Sequence, residues 1–240
     1  MSRARAPGPL LAMLALLAPG CSRQLPPQPP KTVVAFVDVS GSMRDFQGHR
    51  DAWARILEHL SEGDRIVLGR ISEETYTHFR PVADRELPVF HALTDNKLDY
   101  EEKVRAVRKE LAEAIDKALA SERSPRTDVM NTLLVAAQIF GGDPRRRVLV
   151  LLSDMLEDSS EYSFEKQRIT APFIAKAIDA RRQRKALADL GGATVYVAGA
   201  SAVTAAKAQE VQRFWVDYIA ASNGRLAPQN YGPALVNFNE

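Results

Sequence analysis

The chain has 240 residues, of which 45% are apolar and 26% charged; this is the composition of a soluble globular protein large enough to bury a full core without a disulfide or structural metal. Its 32 Lys and Arg face 30 Asp and Glu, and Arg3 and Arg5 in the acid-free first segment account for the difference. With the remainder neutral, no basic run interleaved with aromatics, and Cys21 as the single cysteine, the sequence speaks against a nucleic-acid partner and excludes an internal disulfide.

The first segment opens with cationic Met1-Ser-Arg-Ala-Arg, continues through an apolar run from Pro9 to Ala18, and exits through Pro19, Gly20 and Cys21. That run is about half the ~20 residues a membrane-spanning helix needs. A cationic start, short apolar middle and small exit residues predict a secretory signal peptide over 1–20. The Gly20-Cys21 pair resembles a bacterial lipobox, although Ala18 and Pro19 depart from its usual residues and Leu17 stands one place early. The resemblance implies lipidation of Cys21 and a periplasm-facing lipoprotein of the cell envelope. Ser22 after the cysteine implies the outer membrane if the cell is Gram-negative. Residues 21–31, with Pro26, Pro27, Pro29 and Pro30, predict a semi-rigid tether.

From residue 32 to 240 the pattern alternates between strands and helices. Thr32 to Val39 is a short apolar run rich in β-branched residues, as in a strand buried on both faces. Arg50 to Leu60 places Trp53, Ile56, Leu57 and Leu60 on one helical face, and Arg65 to Ile71 is a second strand. Pro81 to Asn96 has no clean period and reads as a loop or short irregular strands. Leu98 to Glu122 is a long amphipathic helix carrying Val104, Val107, Leu111, Ile115 and Leu119. Asp128 to Phe140 is a further helix, Arg147 to Ser153 a buried strand, and Pro172 to Leu190 a helix expected to end at Gly191-Gly192. Thr194 to Ala200 is a strand. Thr204 to Ala221 is a helix with Phe214, Trp215 and Tyr218 at core spacing. Such alternation predicts an α/β fold: a doubly wound, mostly parallel sheet with helices on both faces.

In such sheets ligands bind beyond the carboxyl ends of the strands. There the sequence places Asp38, Ser40 and Ser42 after the first strand, Asp154 after the strand ending in Ser153, and Thr127 before a helix. All are hard oxygen donors, which select Mg²⁺, or else Mn²⁺ or Ca²⁺, over zinc or copper. The order Asp38-x-Ser40-x-Ser42, Thr127, Asp154 is similar to the metal-ion-dependent adhesion site of von Willebrand factor A domains, and the likeness spans nearly all of the chain after Lys31. It implies that the two serines and the threonine bind a divalent ion and the aspartates act largely through water. It also implies an open coordination position that a protein partner fills with an acidic residue. Two positions depart from the family: Arg126 precedes Thr127 where Gly is usual, and Met155 follows Asp154 where Gly is usual.

The expectation is therefore a binding module tethered to a membrane, and not an enzyme. The alternatives are a metal-dependent hydrolase of phosphoesterase type, for which no separate general base stands out, or a degenerate domain that binds partners without metal. Glu157 and Asp158 read as a solvated rim, the alternative being that they face the ion. His49, His59, His78 and His91 show no ligand spacing. The run Arg181-Arg182-Gln183-Arg184-Lys185 reads as a solvated helix end.

Overall fold

The computed structural model describes residues 28–41, 46–73 and 75–240. The expected signal peptide, Cys21, much of the proline tether and Ser42 lie outside the described residues. Lys31 belongs to the fold, as the first residue of strand β1, Lys31–Asp38, all eight of whose residues are buried. The remaining strands are β2 (Arg65–Ile71), β3 (Ala83–Glu86), β4 (Arg146–Leu152), β5 (Thr194–Ala198) and β6 (Tyr231–Gly232). They form one sheet in the order β3-β2-β1-β4-β5-β6. Only β3 runs antiparallel, pairing Leu68 with Ala83. The other neighbours are parallel, with Phe36 opposite Gly69 on one side and Leu151 on the other.

Among the described residues, five helices connect the strands: α1 (Phe46–Glu58), α2 (Lys97–Leu119), α3 (Val129–Gly141), α4 (Ala171–Gln183) and α5 (Ala205–Ala221). Because side chains alternate along a strand, each central strand feeds two cores. Val34, Phe36, Leu149, Leu151 and Val197 pack with Leu133 of α3, Ile174 of α4 and Trp215 of α5. Val33, Ala35, Val37, Val148 and Val150 pack with Trp53 and Ile56 of α1 and Leu111 and Ile115 of α2. The expected doubly wound α/β sheet is the observed one. From β1 the chain winds outward to β2 and β3, then returns on the far side of β1 as β4 and continues to β5. The strand order therefore reverses between β1 and β4, and the crevice beyond their carboxyl ends is where such sheets receive ligands.

Two elements differ from the sequence reading. Helix α4 stops at Gln183 and does not run to Leu190. Lys185 takes φ +55, Lys185 N donates to Arg182 O (3.0 Å) and Ala186 N to Arg181 O (2.8 Å). These bonds make the helix-terminating Schellman motif, with lysine at the left-handed position where glycine is usual, so no residue type announced the stop. The two-residue β6 lies on the sheet edge after a single 3-10 turn, Pro228–Asn230, too short for any periodicity to reveal. Among the described residues, no helix is long and apolar enough to cross a membrane.

Candidate metal centre

Beyond β1 the chain stays extended. Ser40 pairs in parallel with Ser124, and Gly41 N donates to Ser124 O (3.2 Å) while Ser124 N donates to Val39 O (3.2 Å). This short ladder docks the segment that follows α2 against the exit of β1. Asp38 lies beneath it with no exposure. Its Oδ1 accepts from Ser40 N (2.8 Å) and its Oδ2 from Ser153 Oγ (2.7 Å). Burial holds the Asp38 carboxyl above the ordinary carboxylate range, only partly offset by the Ser40 amide and the Ser153 hydroxyl.

The second loop divides its labour between two neighbours. Asp128 is the N-cap of α3: its Oδ1 accepts from Asn131 N (2.9 Å) and its Oδ2 from Asn131 Nδ2 (2.7 Å). Thr127 is left out of the cap. It is 2% exposed, and its backbone is pinned to the third loop by Thr127 N to Asp158 O (3.1 Å) and Asp158 N to Thr127 O (2.9 Å). Ser40 and Thr127 line one cavity of about 280 Å³, together with Gly41, Glu157, Asp158 and Glu165.

The third loop begins at Ser153, whose Oγ donates to Asp38 and accepts from Met155 N (2.9 Å). Asp154 is 5% exposed, and its Oδ1 accepts from Leu156 N (2.9 Å). It does not line the Ser40–Thr127 cavity. It lies near enough to Tyr231 that its charge, added to burial, holds that phenol above its ordinary pKa. Met155 has φ +66, the left-handed region that favours glycine. It is fully buried, and its carbonyl accepts from Trp215 Nε1 (2.8 Å). Burial and the indole thus hold a methionine in a conformation that the usual glycine adopts without strain.

Two sequence expectations change here. Glu157 is not rim: it is 1% exposed, and its Oε2 accepts from Val129 N (2.8 Å) and Met130 N (3.2 Å) at the start of α3. Burial, then the negative charge of Asp128, push its carboxyl up to about 8 against the opposing pull of Ser159 and the two amides. Asp158 is exposed, as a rim residue should be. A carboxylate brought from a distant loop to cap a helix leaves no local signal, so the acidic pair looked uniform in sequence. Likewise Arg181 is 4% exposed and not solvated. It donates through Nε to Ala186 O (3.1 Å) and through Nη2 to Asn131 Oδ1 (2.5 Å), which joins it to the Asp128 cap.

These residues fit a hard divalent cation by the chemistry of their donors. Asp38, Ser40, Thr127 and Asp154 offer only oxygen, and the buried Asp38 carboxyl carries a desolvation cost that a nearby cation would offset. Among the described residues, no three His, Cys, Asp or Glu side chains converge on a point, so the donor set rests on hydroxyls together with the two aspartates. Arg126 is exposed and lines a neighbouring cavity with Glu73, Asp128 and Ser159. It is absent from the walls around Ser40 and Thr127.

No protein-family model matches the chain, and no curated protein matches it. Solved structures with a similar arrangement of elements include a von Willebrand factor type A protein from Catenulispora acidiphila, 16% identical over 83% of this chain and 38% of that one, at a TM-score of 0.44. The pilus adhesin SpaC from Lactobacillus rhamnosus GG, in its open conformation, is 12% identical over 85% of this chain and 28% of that one, at a TM-score of 0.47. An aerotolerance-related membrane protein from Bacteroides fragilis is 12% identical over 82% and 90% of the two chains, at a TM-score of 0.40. This chain spans well under half the length of the first two.

Proposed function

We propose that this chain is a von Willebrand factor A-type binding module, exported and tethered to the cell envelope through Cys21. In this reading it engages an acidic residue of a protein partner through a divalent cation, Mg²⁺ or else Mn²⁺ or Ca²⁺. Asp38, Ser40, Ser42, Thr127 and Asp154 are the proposed donors. The observation that carries the reading is the shared cavity of Ser40 and Thr127 at the β1/β4 reversal point, seated over the buried Asp38. Neutral hydroxyls leave much of a cation's charge uncompensated, which favours an outside carboxylate as the remaining ligand. Neither departure from the family blocks the site: Arg126 lines a different cavity, and Met155 keeps the positive φ.

Titration calorimetry of the purified chain with Mg²⁺ and Mn²⁺ tests this. Binding is expected, with loss in Asp38→Ala and in Ser40→Ala. Absence of binding by the folded wild-type chain overturns the cation. For the partner, capture from solubilised envelopes is expected to fail in chelator and with Asp38→Ala. Capture indifferent to both overturns the proposed mode of engagement.

A further inference from the structure

At the opposite end of the sheet, about 20 Å from the cation site by the length of the central strands, lies a second polar cavity. It occupies about 450 Å³ between the start of β4, the turn before β5 and the segment after α5. Arg145, Arg146, Arg147 and Arg225 line it together with Gly191 and Gly192, and no acidic residue does among the described residues. Arg145 is engaged by Asp143 (3.0 Å) and Glu86 (2.6 Å), and Arg146 by Glu240 (2.8 Å). The other two are not so engaged. Arg147 donates to Gly191 O (3.1 Å), and neither it nor Arg225 enters an ion pair among the described residues. Asp189 is within electrostatic reach of Arg147, but one of its oxygens accepts from Gly191 N (2.9 Å) and Asn223 Nδ2 (2.9 Å).

The turn is shaped to bring these cations together. Gly191 has φ +58, and a Cβ there would lie 1.5 Å from Arg147 Nη1. Glycine is what lets the Arg147 guanidinium lie against the backbone. A Cβ on Gly192 would lie 3.7 Å from Arg225 Nη1, so both uncompensated arginines flank the same two-residue turn. Like charges gathered around an open cavity repel one another unless an anion joins them. The planar donor forks of arginine match the oxygens of a phosphate.

We propose that this pocket binds a phosphate-class anion, either the headgroup of an anionic lipid or a free phosphate. Arg147 and Arg225 are its principal donors. The chain enters the fold beside the pocket, where Arg146 N donates to Pro30 O (3.1 Å) and Arg146 Nε to Pro29 O (3.3 Å). A membrane anchor upstream would present this face to the headgroups and turn the cation site outward. The pocket itself does not depend on that anchor or on a cation.

The test uses the full chain, the double variant Arg147→Gln/Arg225→Gln, and Gly191→Ala, which displaces Arg147 while keeping its charge. Arg184→Gln, on the exposed Glu161 pair, is the control. Calorimetry with inorganic phosphate and glycerol phosphate reads the free anion. Flotation with phosphatidylglycerol-containing against pure phosphatidylcholine vesicles reads the headgroup, and any apolar contribution of the amino terminus cancels between the two. Loss of two charge-assisted contacts is expected to weaken binding by about a hundredfold, roughly tenfold per guanidinium. Unchanged melting curves would show that the variants remain folded. Phosphate binding lost in the double variant supports a free anion, and phosphatidylglycerol-dependent flotation lost in it supports the headgroup. Absence of both in the wild type, or a double variant that behaves like Arg184→Gln, overturns the proposal.

Discussion

At the amino ends of the strands the two buried acids meet cations directly. Asp64 holds Lys31 Nζ at 2.6 Å, and Asp143 accepts from Arg65 (3.3 Å), Arg145 (3.0 Å) and Thr32 Oγ1 (2.7 Å). At the carboxyl ends, Asp38 is held by an amide and a hydroxyl, Glu157 by two amides, and Asp128 by Asn131, with Arg181 bonded to Asn131 and its charge favouring the ionised Asp128. At Asp143 burial is outweighed by Thr32 and Arg145 and the carboxyl falls below its ordinary range, whereas Asp38 and Glu157 are raised. One end is compensated from within the chain. At the other, burial is only partly offset by amides and hydroxyls, so ionising Asp38 or Glu157 there costs stability.

The largest expected effect breaks the compensated end. Asp64 accepts from Lys31 N and Nζ and from Ser61 N, so Asp64→Ala strands a buried ammonium and is expected to cost about 3–5 kcal/mol in denaturant unfolding. Asp38→Asn removes a buried charge that has no cationic partner among the described residues. In chelated protein it is expected to leave stability unchanged or raised. A large loss in Asp38→Asn would erase the contrast between the ends.

The contrast also has a pH signature. Glu157 in the folded chain keeps its proton to about pH 8, whereas the unfolded chain releases it near 4.5. Between those values the native state binds more protons, so the stability of chelated protein falls as pH rises, and Asp38 adds in the same direction from 3.8 upward. Asp143, lowered, acts oppositely: its contribution is present above 3.8 and is lost as pH falls through its depressed folded value. Chemical unfolding across pH 4–9 is expected to show the decline toward alkaline pH, and Glu157→Gln is expected to flatten it. A wild-type curve flat from 4.5 to 8 would mean that Glu157 is ionised in the fold.

What the sequence revealed follows from how local each cause is. Continuous β-branched runs located β1, β2, β4 and β5 within two residues at their ends, because burial on both faces removes polar residues from the whole strand. The Asp38-Ser40 spacing was legible for the same reason: the chain stays extended past β1, so alternate residues share a side. Glu157 and Arg181 were misjudged because their partners, the α3 amides and Asn131, lie 27–28 and 50 residues away. The arginine cavity was invisible for a related reason: Arg225 reaches it only through the Thr194–Arg225 bridge.

A smaller effect separates capping from cation binding within one loop. Asp128→Ala is expected to cost about 1 kcal/mol through the lost α3 cap. Under the proposed function, Thr127→Val is expected to keep stability and lose Mg²⁺ binding in calorimetry. If Asp128→Ala alone abolished binding while Thr127→Val retained it, the roles assigned to these neighbours would be reversed.

The finest test is at Met155, where the proposed site departs from the pattern it resembles. Its buried side chain is worth about 2–5 kcal/mol on truncation to alanine. Its left-handed backbone costs roughly 1–2 kcal/mol for any residue with a Cβ. Met155→Ala forfeits the packing and keeps the strain. Met155→Gly forfeits the packing and releases the strain, against which stands the larger entropy of glycine in the unfolded chain. Where φ is negative, glycine is the more damaging replacement; here Met155→Gly is expected to equal or exceed Met155→Ala by up to about 1 kcal/mol. The Trp215 bond to the Met155 carbonyl survives both changes, since it engages the backbone. Unfolding curves of the two variants, measured side by side in chelator, give the order. Alanine clearly ahead of glycine would show that the loop relaxes out of the left-handed conformation once the methionine is gone, and that packing, not sequence at the turn, holds Asp154 in place.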